Sequence, residues 1–200
     1  MNAFLEIRDL GFAWPGQAPL FAHLNASLTP GLALLSGDEQ RGKTTLLRLL
    51  AAEIRPQAGA MQLAGQDIGG ALAGLRPDMT RPDLDTVVVA DWLRTQVPEG
   101  PARDRLDDHI DGLSLREHLH KPFFALSTGG RRKVWLTAAL ASGAPLTLMD
   151  EVFAALDTPS IRYLTAALHQ TAAHAPGRWL LAAHWDALPG VPDEHLLRLG

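Results

Sequence analysis

The sequence predicts an α/β fold, because segments that alternate like β-strands are followed in turn by segments with helical spacing. "FLEIRDL" at Phe4–Leu10 alternates, whereas Leu46, Leu47, Leu49 and Leu50 recur at the spacing of one helix face. A glycine-rich loop stands between a strand and that helix, and an apolar strand further along ends in two carboxylates. These observations predict helices packed on a sheet, with polar groups where strands end.

The other elements follow in order. "LNASLTPGLALLSG" predicts a hairpin-like pair that turns at Pro30–Gly31, and Pro56 ends a helix predicted over Lys43–Ile54. A helical stretch from about Leu75 to Ser142 is expected to form a second lobe. The remaining predictions are strands at 59–65, 145–151, 178–185 and 194–200 and helices at 85–95, 103–120, 126–141 and 160–175.

Composition excludes several classes of function. The chain has 200 residues and a formal net charge of -4, so it predicts one domain and gives no general basic field for nucleic acid. It lacks cysteine, which excludes disulfides, thiol catalysis and cysteine-ligated zinc. Its first ten residues do not resemble a signal peptide, and no long apolar run predicts a membrane span. We expect a chain that is soluble by itself and meets membranes only through a partner.

"SGDEQRGKTT" contains a phosphate-binding pattern, Gly37-x4-Gly42-Lys43-Thr44, between a predicted strand and a predicted helix. In such a loop the backbone N–H groups and the positive end of the helix dipole face phosphate oxygens. Lys43 would reach the β- and γ-phosphates, and the Thr44 hydroxyl would bind Mg²⁺. A chance match in a glycine-rich loop is the alternative, and the flanking strand and helix argue against it.

Two carboxylates, Asp38 and Glu39, stand within this loop beside a site for anions. Either their side chains face solvent or they weaken binding, and Arg41 could offset their charge.

A second acidic pair, Asp150 and Glu151, ends the apolar strand "PLTLMDE". Asp150 would hold Mg²⁺ through water, and Glu151 would orient or deprotonate an attacking water. A strand-end or helix-capping acid pair is the alternative.

The order of the motifs resembles that of ATP-binding cassette (ABC) ATPases over nearly the full chain. "LSTGGRRK" is similar to the family signature Leu-Ser-Gly-Gly-Gln, with Ser127 and Gly129 matching, and a plain N-capped helix is the alternative. "AALD" at 154–157 resembles the loop that crosses the family's dimer interface. His184 resembles the family's switch histidine. Trp14 stands where the family stacks an aromatic ring on adenine, although it could simply pack on its own hairpin.

The resemblance implies a P-loop NTPase core with a mixed sheet, an N-terminal antiparallel β subdomain and a small helical lobe at about 75–142, all within one ABC domain over 1–200. It implies an ATP-binding, ATP-hydrolysing transporter subunit that uses ATP and Mg²⁺. This subunit would pair with a second copy or another ABC subunit and drive a separate transmembrane permease, from the cytoplasmic face of the cell membrane. The compact length is similar to haem-exporter-type ATP-binding subunits.

The chain also departs from the family pattern. No glutamine occurs between Asp67 and Thr95, where the family places one that meets Mg²⁺, and Asp78 is nearest to that position. Val152 replaces the proline that commonly follows the catalytic glutamate. A soluble or weakly hydrolysing regulatory ATP-binding protein is therefore the alternative. A GTPase or kinase with an ordinary phosphate loop would leave the signature stretch, "AALD" and His184 unexplained. The sequence also lacks the guanine-binding motif Asn-Lys-x-Asp.

These arguments predict three sets of site residues. Catalysis is assigned to Glu151, His184 and Lys43, and Mg²⁺ to Thr44 and Asp150. Nucleotide contacts are assigned to Trp14, Gly37, Asp38, Glu39, Gln40, Arg41, Gly42, Lys43, Thr44, Thr45, Ser127 and Gly129.

Overall fold

The computed structural model describes residues 4–69, 76, 81–97, 99–184, 190–191 and 195–199, with the backbone alone at 101–104. The strands are β1 Leu5–Phe12, β2 Phe21–Leu28, β3 Gly31–Ser36, β4 Ala58–Leu63, β5 Gln66–Asp67, β6 Leu146–Met149, β7 Trp179–Ala183 and β8 Leu196–Arg198. The helices are α1 Lys43–Leu50, α2 Val89–Gln96, α3 Pro101–Gly112, α4 Thr128–Ala141 and α5 Thr158–His174, with short 3₁₀ turns at Pro82–Leu84, Arg116–His118 and Phe123–Ala125.

The chain divides into two compact units. The first comprises Met1–Arg76, Pro145–Val152 and Ala172–Gly200, and the second comprises Pro77–Ala144 and Phe153–Thr171. The first unit holds an antiparallel sheet of order β2-β1-β4-β5 and a parallel sheet of order β6-β7-β3-β8. The predicted α/β class, with antiparallel and parallel strands in one chain, is confirmed.

The parallel sheet explains where the polar loops meet. The middle of β3, Leu32–Leu35, is buried, as are all residues of β6 and β7, which is the pattern of strands covered on both faces. The phosphate loop follows β3, the acidic pair follows β6, and His184 follows β7. Since parallel strands end at the same edge, these three segments leave the sheet side by side.

The predicted hairpin at Pro30–Gly31 is wrong, because the two strands belong to different sheets. β2 pairs antiparallel with β1, whereas β3 pairs in parallel with β7 and β8. His195 fixes the connection between them: its Nδ1–H donates to the Leu32 carbonyl at 3.1 Å, and its Nε2 accepts from the Thr29 hydroxyl at 2.7 Å. The proline-glycine pair therefore moves the chain from one sheet to the other.

Two helices end earlier than predicted. α1 stops at Leu50 rather than Ile54, because Ala52 takes a left-handed backbone with φ of 58°. α3 ends at Gly112, and Ser114 is left-handed with φ of 55° soon afterwards. Helices usually end at a left-handed glycine or asparagine, whereas alanine and serine seldom adopt this conformation. The sequence at these two positions therefore does not predict a helix end.

The second unit is centred on aromatic rings and on α4. Trp92 on α2 meets Trp135 on α4 at 4.3 Å between ring centres and Phe123 at 5.3 Å, both edge to face. Such contacts fix rings more strongly than their buried area alone. Of the helices among the residues that the structure describes, none is long and apolar enough to cross a membrane.

Candidate functional site

The phosphate loop is shaped by glycines that cannot be replaced without a clash. Gly42 has φ of 91°, and a Cβ there would lie 2.8 Å from the Phe21 ring and 2.9 Å from a Leu20 methyl group. A Cβ on Gly37 would lie 2.6 Å from the Leu199 carbonyl oxygen. The loop therefore packs its backbone directly against neighbouring elements, which explains why glycine stands at both positions.

Lys43 turns back into the loop that precedes it. Its Nζ donates to the Gly37 carbonyl at 2.6 Å and the Asp38 carbonyl at 3.0 Å, and the residue is only 7% exposed. Gly42, the N-cap residue of α1, supplies no side-chain acceptor to the first turn of the helix. An ammonium group and the positive end of a helix therefore lie together at this loop, an arrangement suited to an anion.

A cavity of about 500 Å³ opens beside the loop within the first unit. Its volume is in the range of small-molecule sites. The cavity brings together several predicted residues from three separate segments, and it is lined by Trp14, Gln17, Leu20, Glu39, Gln40, Gly42, Lys43, Thr44, Thr45 and Glu151. Sequence reasoning missed Gln17 and Leu20, since the turn between β1 and β2 carries no motif that marks them.

Some predicted residues do not line this cavity. They are Gly37, Asp38, Arg41, Asp150 and His184 in the first unit. Asp38 is exposed and contributes its backbone carbonyl to Lys43, whereas exposed Glu39 borders the cavity. The two carboxylates thus differ in position, and only Glu39 places its charge beside the space that an anion would enter.

Trp14 is held in a short, well-bonded turn. The Gln57 side chain bridges the backbone of the preceding residue, with its oxygen accepting from Ala13 N–H at 2.8 Å and its amide donating to the Ala13 carbonyl at 3.1 Å. The Trp14 ring meets Phe12 edge to face at 5.1 Å. The ring therefore packs on its own strand, and Trp14 also lines the cavity, so both sequence interpretations of Trp14 agree with its position.

The acidic pair follows β6 in a strained backbone. Glu151 is left-handed with φ of 45°, and the next residue, Val152, donates its N–H to Ala183 of β7 at 3.3 Å. His184 is tied similarly, with its N–H donating to Leu35 of β3 at 3.2 Å. A non-glycine residue in this conformation costs roughly 1–3 kcal/mol, and such strain clusters at functional sites. The turn directs Glu151 to the cavity that Lys43 and Thr44 also line.

The signature stretch begins α4 in the second unit. Ser127 is its N-cap, and the Ser127 hydroxyl accepts from Gly130 N–H at 3.1 Å, so the capping role is observed. A Cβ on Gly129 would lie 2.4 Å from the Ala155 carbonyl oxygen, and Ala155 is left-handed with φ of 58°. The signature glycine therefore lies directly against the "AALD" segment of the same chain.

An ion pair joins the same two segments. Lys133 Nζ donates to Asp157 Oδ2 at 2.6 Å, while Asp157 Oδ1 accepts from Ser160 N–H at 2.9 Å. The hydrogen bond from Lys133 first, and that from Ser160 second, hold the pKa of Asp157 well below its ordinary value of 3.8. The carboxylate is thus ionised at all physiological pH values, and the pair persists there.

Replacing Lys133 by methionine is expected to raise the pKa of Asp157 toward its ordinary value, although the hydrogen bond from Ser160 N–H still lowers it. Because the folded-state pKa lies below that of the unfolded chain, the pair adds stability that is fully present above about pH 4 and is lost as the pH falls further. Carboxyl NMR titration of wild type and Lys133→Met measures the shift, with Lys121→Met as control. An unchanged Asp157 midpoint in Lys133→Met would show that the ion pair does not form in solution.

The residues at the loop fit a nucleoside triphosphate with its metal ion. The close-packed glycines leave a backbone cradle, and Lys43 and the start of α1 supply positive charge. The Thr44 hydroxyl and the Asp150 carboxylate are hard oxygen donors of the kind Mg²⁺ prefers. Asp78, the residue nearest to the expected glutamine position, lies outside the described residues.

A family model described as "ABC transporter" matches residues 22–154, which span the phosphate loop, the signature and the acidic pair. The chain belongs to the ABC transporter family. The assignment made from the order of the motifs is therefore confirmed.

Relatives of the ABC transporter family agree with this assignment. The chain is 34% identical to the cytochrome c biogenesis ATP-binding export protein CcmA of Sphingopyxis alaskensis, over 92% of this chain and 91% of that protein. It is 30% identical to the ATP-dependent lipid A-core flippase of Thiobacillus denitrificans over 82% of this chain, but it spans only 31% of that relative's length. These relatives favour a transporter subunit over the soluble alternative.

A solved structure of the ATP-binding subunit of an ABC transporter has the same fold. It superposes with a TM-score of 0.76 over 90% of this chain and 79% of that one, at 20% identity. This likeness confirms the ABC ATPase fold.

Proposed function

We propose that this chain is the ATP-binding and ATP-hydrolysing subunit of an ABC transporter, and that it drives separate membrane subunits. The observation that carries the proposal is the shared cavity, which is lined by an aromatic ring, Trp14, by Lys43 and Thr44 of the phosphate loop, and by the carboxylate of Glu151. ATP hydrolysis needs these three kinds of group in one place: an aromatic ring for the adenine base, a phosphate loop for the triphosphate and a carboxylate for the attacking water.

Each residue has a role that follows from its chemistry. Lys43 moves from its loop carbonyls to the β- and γ-phosphates, while the N–H groups at the start of α1 bind phosphate oxygens. Thr44 and, through water, Asp150 would hold Mg²⁺, and the ion would neutralise negative charge at the phosphates. Glu151 accepts a proton from the attacking water, and His184 orients the γ-phosphate. Gly37, Asp38, Gln40, Arg41, Gly42 and Thr45 contribute the loop around the phosphates.

The signature stretch would act on a second nucleotide site. Ser127 and Gly129 at the start of α4 would face the γ-phosphate held by a partner subunit, either a second copy or another ABC subunit. ATP would hold the pair closed, and hydrolysis would open it and move a transmembrane permease. The chain would then work at the cytoplasmic face of the cell membrane through that permease.

A weakly hydrolysing regulatory protein is the second candidate. It is favoured by two departures in sequence, the lack of glutamine between Asp67 and Thr95 and the presence of Val152 after Glu151. Such a protein would bind ATP and change its assembly without rapid turnover. The two candidates differ in rate rather than in ligand, so a single hydrolysis assay separates them.

The wild-type protein is expected to hydrolyse ATP in the presence of Mg²⁺, and hydrolysis should stop when EDTA removes the metal. Lys43→Ala should lower the rate by roughly a hundredfold or more, because it removes the cation at the transferred phosphate. Lys121→Ala, a change of the same type in the second unit, is the matched control and should keep the wild-type rate. Binding of ATP without turnover in wild type would favour the second candidate, and a failure to bind ATP would overturn both.

A further inference from the structure

Arg48 lies over the ring of Trp14. It is on α1, the helix that starts at the phosphate loop, and its guanidinium carbon is 5.4 Å from the centre of the Trp14 ring. Arg48 does not line the cavity, whereas Trp14 does. Trp14 therefore contacts Arg48 and also borders the cavity, and Phe12 meets the Trp14 ring edge to face.

Arg48 is itself held in place by a carboxylate. Its Nε donates to Glu53 Oε2 at 3.3 Å, and the Glu53 backbone N–H donates to the Arg48 carbonyl at 3.0 Å. Glu53 in turn accepts two hydrogen bonds from Arg76, at 2.6 and 2.7 Å, and the Arg76 side chain is only 13% exposed. Charge-assisted, partly buried bonds of this kind fix the position of a guanidinium better than a single surface pair does.

We propose that Arg48 is a positioning residue for base recognition, and that it holds Trp14 by a cation–π contact in the orientation that stacks on the nucleotide base. This inference rests on the proposed function. A ring that is already ordered loses less freedom when a base stacks on it, so affinity rises without a new contact to the ligand. Because Arg48 and Lys43 share α1, the same helix would place the base platform and the phosphate loop.

The proposed role of Arg48 concerns the nucleotide base and not the phosphates. Arg48 supports Trp14 and not the phosphate loop, so its loss should weaken ligands that carry a base. Inorganic tripolyphosphate has the phosphates without the base, and its affinity should be unaffected. If Arg48 acted only as a positive charge near an anion, both ligands would weaken together.

The test measures dissociation constants of ATP and of inorganic tripolyphosphate, each with Mg²⁺, by calorimetry. Arg48→Met is expected to weaken ATP roughly two- to fivefold, the size of a partly exposed cation–π contact, and to leave tripolyphosphate unchanged. The KM for ATP should rise by the same factor at constant kcat. Arg48→Lys should keep most of the wild-type affinity for ATP. Glu53→Gln, which keeps the side-chain shape but removes the charge beside Arg48, should weaken ATP less than Arg48→Met does and should leave tripolyphosphate unchanged.

Two further variants complete the design. In a Trp14→Ala background, Arg48→Met should have no additional effect on ATP, because the contact that it removes is already absent. Arg94→Met removes an arginine from an exposed pair with Asp91 and should leave both ligands unchanged. Equal weakening of ATP and tripolyphosphate, unchanged ATP affinity, or full additivity with Trp14→Ala would each overturn the inference. A wild type that binds tripolyphosphate but not ATP would overturn the proposed function as well.

Discussion

Replacing Glu151 by glutamine is expected to lower ATP hydrolysis by at least roughly a hundredfold and to leave ATP binding intact, since general-base catalysis contributes about that much. Glutamine keeps the length of the side chain and leaves the left-handed backbone at 151 unchanged, but it cannot accept the proton of the attacking water. The variant should therefore accumulate as an ATP-bound dimer. Steady-state hydrolysis and size-exclusion chromatography in ATP measure the two effects.

Glu39 provides a matched control for this experiment, because it is a second carboxylate lining the same cavity. Glu39→Gln should keep the hydrolysis rate, and it should bind ATP equally well or more tightly because a negative charge beside the phosphates is removed. Equal loss of activity in the two variants would mean that the cavity needs its charge in general and that Glu151 is not a specific base.

The second large effect is expected at the signature. A Cβ on Gly129 would lie 2.4 Å from the Ala155 carbonyl oxygen, a backbone atom that cannot rotate away. Gly129→Ala should therefore displace the 154–157 segment and lower hydrolysis by about tenfold or more, with ATP binding at the phosphate loop retained. The loss would come from packing within one chain, in addition to any contact across a dimer.

Gly130→Ala is the matched control, one residue further along the same helix. Its Cβ would find ordinary contacts, 3.4 Å to the Ser127 hydroxyl and 3.5 Å to Leu126, and alanine favours helix more than glycine does. This variant should keep its activity and melt at the same or a higher temperature. Hydrolysis rates and thermal melting of the two variants, measured together, test the argument. Normal hydrolysis by Gly129→Ala would contradict it.

The parts of the site that lie in one contiguous stretch could be predicted from the sequence. The phosphate loop is an example, since Lys43 donates to the Gly37 and Asp38 carbonyls of its own segment. Contacts between distant segments could not be predicted in this way. No local pattern states that Arg48 reaches Trp14, or that Lys133 pairs with the carboxylate of Asp157, because tertiary packing alone brings those side chains together.

The fold was predictable to a similar extent. Alternation and helical spacing located the strands and helices, but they do not specify which strands become neighbours. The proline-glycine pair at 30–31 has the composition of a tight turn, and only the burial of Leu32–Leu35 on both faces shows that β3 needs parallel partners. Partner choice is a long-range property, so local sequence could not reveal it.

The strand order has a consequence for how the protein is made. β3 precedes the phosphate loop near residue 36, yet its neighbours in the sheet, β7 and β8, are translated only after residue 178. β1, β2 and β4 all precede β6, β7 and β8 in the chain and can pair with one another on the ribosome before those strands are made. The nascent chain would thus carry the phosphate-loop sequence without its parallel sheet until β7 and β8 have been translated. Nucleotide would then be captured only after β7 and β8 have been translated, so ATP would stabilise the new protein after these strands are made and not before.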